Sequence, residues 1–293
     1  MSAPNNDRVP VRKTYKLFIN GAFPRSESGR TFPVRDGSGE LLAWAVQASR
    51  KDMRDAVRAA RSAQPGWARS TAYLRGQILY RVAEMMEGRA AQLAAELRVL
   101  GSDPVGADAE VAAAIDRWVW YAGWADKIAP IAGSVNPVAG PYFDFTVPEA
   151  VGVVGVVAPD EPPLLGFVSL VAPALCAGNA VVVLASEANP LVAITLAEIL
   201  ATSDLPGGVV NVLTGAKAEI GPWLAAHGDV DTVDVTGAVD ELATEMERAA
   251  ADDVKRVVRP LGRDVDWWDD AGESPYAVMA TMELKTVWHP KGG

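Results

Sequence analysis

Cysteine and histidine are nearly absent from this 293-residue chain, which has one cysteine, Cys176, and two histidines, His227 and His289. A lone cysteine excludes an intramolecular disulfide and suits a reducing compartment, so a cytoplasmic location is expected. The two histidines are far apart and no Cys/His cluster has zinc-ligand spacing, so no metal site is expected. An excess of positive charge is also lacking. Against 27 Lys and Arg stand 37 Asp and Glu, a net charge of −10 with the cations scattered. Phosphate-backbone binding runs on clustered cations, so no nucleic-acid partner is expected. The N-terminal stretch MSAPNNDRVPVRK has no apolar core and does not read as a secretory signal. Leu164–Ala185 is apolar over membrane-spanning length, but Pro173 and Gly178-Asn179 interrupt it; it reads as buried core rather than a span. No nucleophile elbow, Walker loop or solenoid repeat is evident.

With 49% hydrophobic and 22% charged residues, the chain can bury the core of one large or two small domains. Its centre is the stretch from Val151 to Gly237. Val151–Val157 is a β-branched run closed by Ala158-Pro159, as expected of a strand covered on both faces. A helical stretch (Leu164–Ala177), a Gly178-Asn179 stop and a second apolar run (Ala180–Leu184) complete a parallel strand–helix–strand unit. The alternation continues. Asn189 as cap and Pro190 open a helix, Val209–Leu213 reads as a strand, and Ala216–Ala226 as a helix. Thr232–Val235 follows as a strand, Asp240–Ala251 as a helix, and Lys255–Val258 as a fifth strand. Such a sheet carries its ligand at the carboxyl ends of its strands.

Upstream, residues 1–14 read as a disordered arm. Lys16–Phe18 and Thr31–Val34 read as strands of a hairpin-like unit with a turn at Asn20-Gly21. Helices are expected over Lys51–Gln64, after Ser49, then over Tyr73–Leu100 and Ala107–Ile128. The last of these carries Trp118, Trp120, Tyr121 and Trp124, a cluster that belongs either in a core or at an association surface. Tyr142–Val147, with Pro148 after it, reads as a strand, as does Thr281–Trp288 near the end.

The segments KLFINGAFPRSESGRTFPV, PALCAGNAVVVLASEANPL and LPGGVVNVLTGAKAEIGPWLAAHGDVDTVDVTG resemble the aldehyde dehydrogenase family, from about Tyr15 to Gly262. The likeness is greatest to the non-catalytic second module of two-module members. It implies an α/β fold with a Rossmann-type coenzyme domain (residues 15–141 its helical N-terminal part, 150–262 its sheet) and a small oligomerisation sheet. In the family, segments like 142–149 and 275–293 supply that sheet. The acidic connector at 263–274, RDVDWWDDAGES, stands where a catalytic domain is expected. The chain thus resembles a truncated, catalytically degenerate member.

The resemblance also implies where chemistry would reside: a cysteine nucleophile, an oxyanion-stabilising asparagine, a glutamate base and NAD(P). The nucleophile belongs to the catalytic domain. Cys176 lies instead in the apolar helix end PALCAGN, where it reads as a buried thiol rather than a nucleophile. The family's Pro-Trp-Asn-Phe-Pro loop is Pro159-Asp160-Glu161-Pro162-Pro163 here, so Glu161 replaces the asparagine. Loss of one oxyanion donor costs on the order of 10²–10³ in rate, and a like charge costs more. The base in Glu-Leu-Gly-Gly-Lys becomes Pro260. In the coenzyme crevice, Lys-Pro-Ser-Glu becomes Leu184-Ala185-Ser186-Glu187, which removes the cation. Thr236-Gly237 persists, but Ala238 lacks a hydroxyl and Leu242 takes the place of a closing glycine. Ser186, Glu187, Thr236 and Gly237 are therefore candidate, vestigial cofactor-binding residues, with NAD(P) binding expected to be weak or absent. Alone in a solvated loop, Glu187 reads more readily as a surface charge than as a ribose ligand. The expected partner is a full-length aldehyde dehydrogenase or a second copy of this chain, joined through Thr281–Trp288. An active or half-site NAD(P)-dependent oxidoreductase is the alternative.

Overall fold

The computed structural model describes residues 11–259, 265–269 and 272–292. At the N-terminus, β1 (Thr14–Tyr15), β2 (Thr31–Arg35) and β3 (Leu41–Val46) form a sheet in the order β1-β3-β2. The hairpin is β2–β3, closed by a turn in which Asp36 Oδ1 accepts the N–H groups of Ser38 and Glu40, both at 2.9 Å. The expected partner, Lys16–Phe18, goes elsewhere. Leu17 and Phe18 are buried, and Phe18 bridges Val212 at the edge of the central sheet. Asn20 and Gly21 both have positive φ, the geometry of a two-residue type I′ turn, and link Ile19 to Ala22. The expected arm also needs correction at its end, because Thr14 pairs with Trp44 and the Lys13 ammonium reaches Glu198 at 2.9 Å.

Helix α1 (Arg50–Arg69) begins at a capping box made by Ser49 and Asp52. It runs past Pro65, beyond the expected Gln64, because Trp67 is buried and donates its indole N–H to the Leu175 carbonyl at 3.0 Å. The single helix expected over Tyr73–Leu100 is two, α2 (Ala72–Glu87) and α3 (Ala90–Val99), parted at Gly88-Arg89. The break allows Met86 and Leu93 both to be fully buried. Helix α4 (Pro104–Trp124) starts earlier than Ala107, since Asp103 caps it and proline suits the first turn. Within it, Trp118 and Tyr121 are fully buried while Trp120 and Trp124 pack at 5.2 Å, so the aromatic cluster is largely core. A short α5 (Ile128–Ala132) leads to β4 (Ser134–Asn136) and β5 (Tyr142–Ala150).

The central domain alternates without exception: β6 (Val153–Val157), α6 (Leu165–Ala177), β7 (Ala180–Leu184), α7 (Pro190–Leu200), β8 (Val210–Leu213), α8 (Lys217–Ala225), β9 (Thr232–Asp234), α9 (Asp240–Ala251) and β10 (Arg256–Val258). The strands are parallel in the order β10-β9-β6-β7-β8, so the first strand lies in the middle, as in a Rossmann-type sheet. Every residue of β6, β7 and β8 is buried, which is why these strands read as apolar runs. Gly178 takes φ +97° at the end of α6, a left-handed cap that a side chain would strain.

After the connector come α10 (Pro275–Ala280) and β11 (Met282–Pro290). Tyr276–Ala280, which resembles part of a strand in the sequence, is helical because Ser274 caps it, Pro275 occupies its first turn, and Val278 is buried against the core. β11 pairs with β5 over nine residues, Met282 opposite Ala150 through Pro290 opposite Tyr142, and β4 completes this sheet in the order β11-β5-β4. Asn179 ties the sheets together. Its side chain accepts from Gly152 N–H at 2.9 Å and donates to the Ala174 and Thr281 carbonyls at 3.1 and 2.9 Å.

Candidate functional site

Strand order reverses between β6 and β9, so the crevice for a ligand lies at their carboxyl ends. Four loops reach it: Ala158–Pro162 after β6, Ala185–Glu187 after β7, Thr214–Ala216 after β8, and Val235–Gly237 after β9. Ser186 and Glu187 are held to the first loop. The Ser186 hydroxyl donates to the Asp160 carbonyl at 3.1 Å, and the Glu187 N–H donates to Asp160 Oδ1 at 2.7 Å. Thr236-Gly237 borders the same loop from the opposite side. A Cβ at Gly237 would lie 2.3 Å from Pro159 N and 2.4 Å from Val157 O, so only glycine allows the two loops to touch.

Two residues given no role by sequence reasoning dominate the crevice. Lys217, at the start of α8, has its side chain only 5% exposed; its ammonium donates to the Ala158 carbonyl and to Asp160 Oδ1, each at 2.8 Å. Its backbone N–H donates to Glu187 Oε1 at 2.7 Å. The Glu187 carboxylate thereby caps α8, the part an anion takes at a helix N-terminus. Burial pushes the Asp160 carboxyl up, but the Lys217 ammonium and the Glu187 N–H outweigh it and hold the group below its ordinary range. A lysine between two alanines at a helix start, Ala216-Lys217-Ala218, was the available signal.

The neighbouring side chains are apolar or acidic. Leu242 is buried between α8 and α9; with Met246 and Leu184 it closes over Gly221, where a Cβ would lie 3.3, 3.1 and 3.7 Å from their side chains. Helix α9, which follows Thr236-Gly237, has no side-chain cap and carries Asp240 and Glu241 in its first turn. Glu161 is exposed, and its carboxyl is raised by partial burial and by the Asp160 charge. Nearby, Glu110 is buried and accepts the N–H groups of Leu164 and Leu165 at 2.7 and 3.1 Å. Cys176 is fully buried in α6, and burial pushes its thiol up to about 12. Pro260 lies outside the described residues. Among those described, no helix is long and apolar enough to cross a membrane.

The profile of the aldehyde dehydrogenase family matches residues 23–280, and the chain belongs to that family. Retinal dehydrogenase 2 of Homo sapiens is 36% identical over 278 residues, covering 93% of this chain and 51% of that protein. The mitochondrial aldehyde dehydrogenase family 2 member B4 of Arabidopsis thaliana is 35% identical over 284 residues, covering 95% and 50% respectively. Among solved structures, an NAD+ complex of an aldehyde dehydrogenase from Bacillus cereus superposes with a TM-score of 0.79 at 30% identity, covering 85% of this chain and 51% of that one. The chain thus spans about half the length of the relatives it matches. Names among these relatives place some in the cytosol and one in mitochondria.

Proposed function

We propose that this chain is a non-catalytic member of the aldehyde dehydrogenase family that serves as a structural or regulatory subunit. Its partner is a full-length aldehyde dehydrogenase or a second copy of itself. The observation that carries the reading is β11, paired with β5 along one side and, among the described residues, with no strand on the other. Eight of its nine residues are exposed, including Leu284 at 59% and Trp288 at 58%. An open edge beside exposed apolar side chains is a template for strand addition.

The crevice supports the non-catalytic part. Cys176 is buried and protonated, and Glu161 puts a carboxylate where the family's oxyanion donor is expected. The crevice residues do not fit a dinucleotide well. Glu187 is already bonded to Lys217 N–H, acidic side chains flank the start of α9, and Leu184 and Leu242 fill the space over Gly221. Ser186, Glu187, Thr236 and Gly237 are on this reading vestiges of a coenzyme site, with NAD(P) bound weakly or not at all. The Gly237 contact and the Rossmann-type strand order favour the second reading, a half-site that still takes NAD(P).

The test is co-elution of the purified chain with aldehyde dehydrogenases of its host, and its own sedimentation. Replacing Leu284 and Trp288 together by lysine charges one face of β11 without touching its backbone ladder. Assembly should be lost while circular dichroism is unchanged. A wild-type monomer that joins none of those enzymes overturns the subunit reading.

A further inference from the structure

A cavity of about 550 Å³ opens on the face of the sheet that packs against α6, between that helix, the ends of β9 and β10, residues 265–269 and 272–274, and α10. Its volume lies within the roughly 300–1,000 Å³ typical of small-molecule sites. Leu170, Pro173, Val258, Trp267, Ala277 and Ala280 give it apolar walls. The outer wall is anchored: Arg117 donates to Ser169 Oγ at 2.6 Å and to the Trp267 carbonyl at 3.1 Å, and Tyr121 donates to the Gly272 carbonyl at 2.8 Å.

One carboxyl group stands in this cavity almost entirely out of water. Asp234, the last residue of β9, is 7% exposed, and its Oδ1 accepts the Thr236 N–H at 2.9 Å. Burial raises its pKa to about 6, against the lowering effect of the Thr236 bonds, and no cation among the described residues offsets it. Arg259, which also lines the cavity, is paired with Glu247; the other lining carboxylates are Asp266, which accepts the Trp268 N–H, and Asp269. At neutral pH the protein therefore holds a buried anion with no counter-ion among the described residues, an arrangement that costs stability. An asparagine could accept the same Thr236 bond without that cost. Turn closure alone accounts for the hydrogen bond and leaves the charge unexplained.

We propose that this cavity binds a small primary or secondary amine with an aromatic or branched apolar body, the ammonium seated on Asp234 and the body against Trp267, Leu170 and Pro173. The cavity shares Thr236 with the coenzyme-like crevice but is otherwise lined by α6, β10 and the residues before and within α10, and nothing in the subunit reading requires it.

Calorimetric titration of the full chain with 2-phenylethylamine and with its neutral isostere 2-phenylethanol tests the proposal. The amine should bind at least about tenfold more tightly, the difference a charge-assisted hydrogen bond supplies. Asp234→Asn should erase most of that preference. Ala277→Phe, which fills the cavity from α10, should abolish binding of both probes with the circular dichroism spectrum retained. Equal binding of amine and alcohol, an unchanged preference in Asp234→Asn, or no binding of the amine in excess would each overturn it. Should Asp234→Asn fail to fold, the two probes and Ala277→Phe still decide.

Discussion

Lys217 and Asp160 meet across the carboxyl edge of the parallel sheet, the ammonium 2.8 Å from Oδ1 although the residues lie 57 positions apart. The lysine side chain is nearly buried and the aspartate about half exposed. Lys217 also satisfies the Ala158 carbonyl. The pair therefore locks the loop after β6 to the start of α8.

Removing that lock should be measurable. Lys217→Met leaves the Ala158 carbonyl without its partner, and stability in urea should fall by about 1–3 kcal/mol. The ion pair itself adds little to this figure, because Asp160 can turn to water. Asp160 is held below its ordinary range, so its contribution is present above the ordinary carboxylate pKa and is lost as pH falls through the depressed value. The gap between wild type and variant should accordingly narrow below about pH 4.

Cys176 should be inert in the folded protein. With its thiol pushed up to about 12 and no exposed surface, it should resist alkylation at pH 8 until denaturant is added. The isolated chain should likewise not oxidise aldehydes with NAD or NADP. Rapid labelling under native conditions, or turnover that Cys176→Ala abolishes, would contradict the buried-thiol assignment.

NAD and NADP should bind with dissociation constants above ~1 mM, since Asp240 and Glu241 stand in the first turn of α9 and Leu184 and Leu242 fill the space over Gly221. Isothermal calorimetry provides the measurement. Micromolar binding would instead favour the half-site reading over the subunit reading.

Asp234 should make the protein less stable as pH rises. A carboxyl whose folded pKa is about 6, above its unfolded value, binds more protons in the folded state. Stability then falls between about pH 4 and pH 6 and stays low above that range. Asp234→Asn should therefore be more stable than wild type at pH 8, by up to about 3 kcal/mol, and by about half as much at pH 5. Urea melts at the two pH values check both magnitude and sign.

The sequence by itself determined the central domain. Parallel strands covered on both faces must be apolar throughout, so Val153–Val157, Ala180–Leu184 and Val210–Leu213 stand out between their Gly, Pro and Asn stops. Those features act over a few residues and are legible locally. Tertiary contact decided the remainder. Leu41–Val46 became a strand because β2 and β1 flank it, whereas Phe18 left the expected hairpin for Val212. Trp67 carried α1 past Pro65, and Ser274 with Pro275 turned Tyr276–Ala280 into a helix. The crevice was half legible: the motifs pick out Ser186, Glu187, Thr236 and Gly237, and the fold brings them to one loop. The two alanines beside Lys217 mark a lysine at a helix start but not the partners it finds, and nothing local marks Asp234 as a carboxyl with no counter-ion among the described residues. A side chain's charge is written in the sequence, but the solvent it loses and the partner it gains depend on residues dozens of positions away.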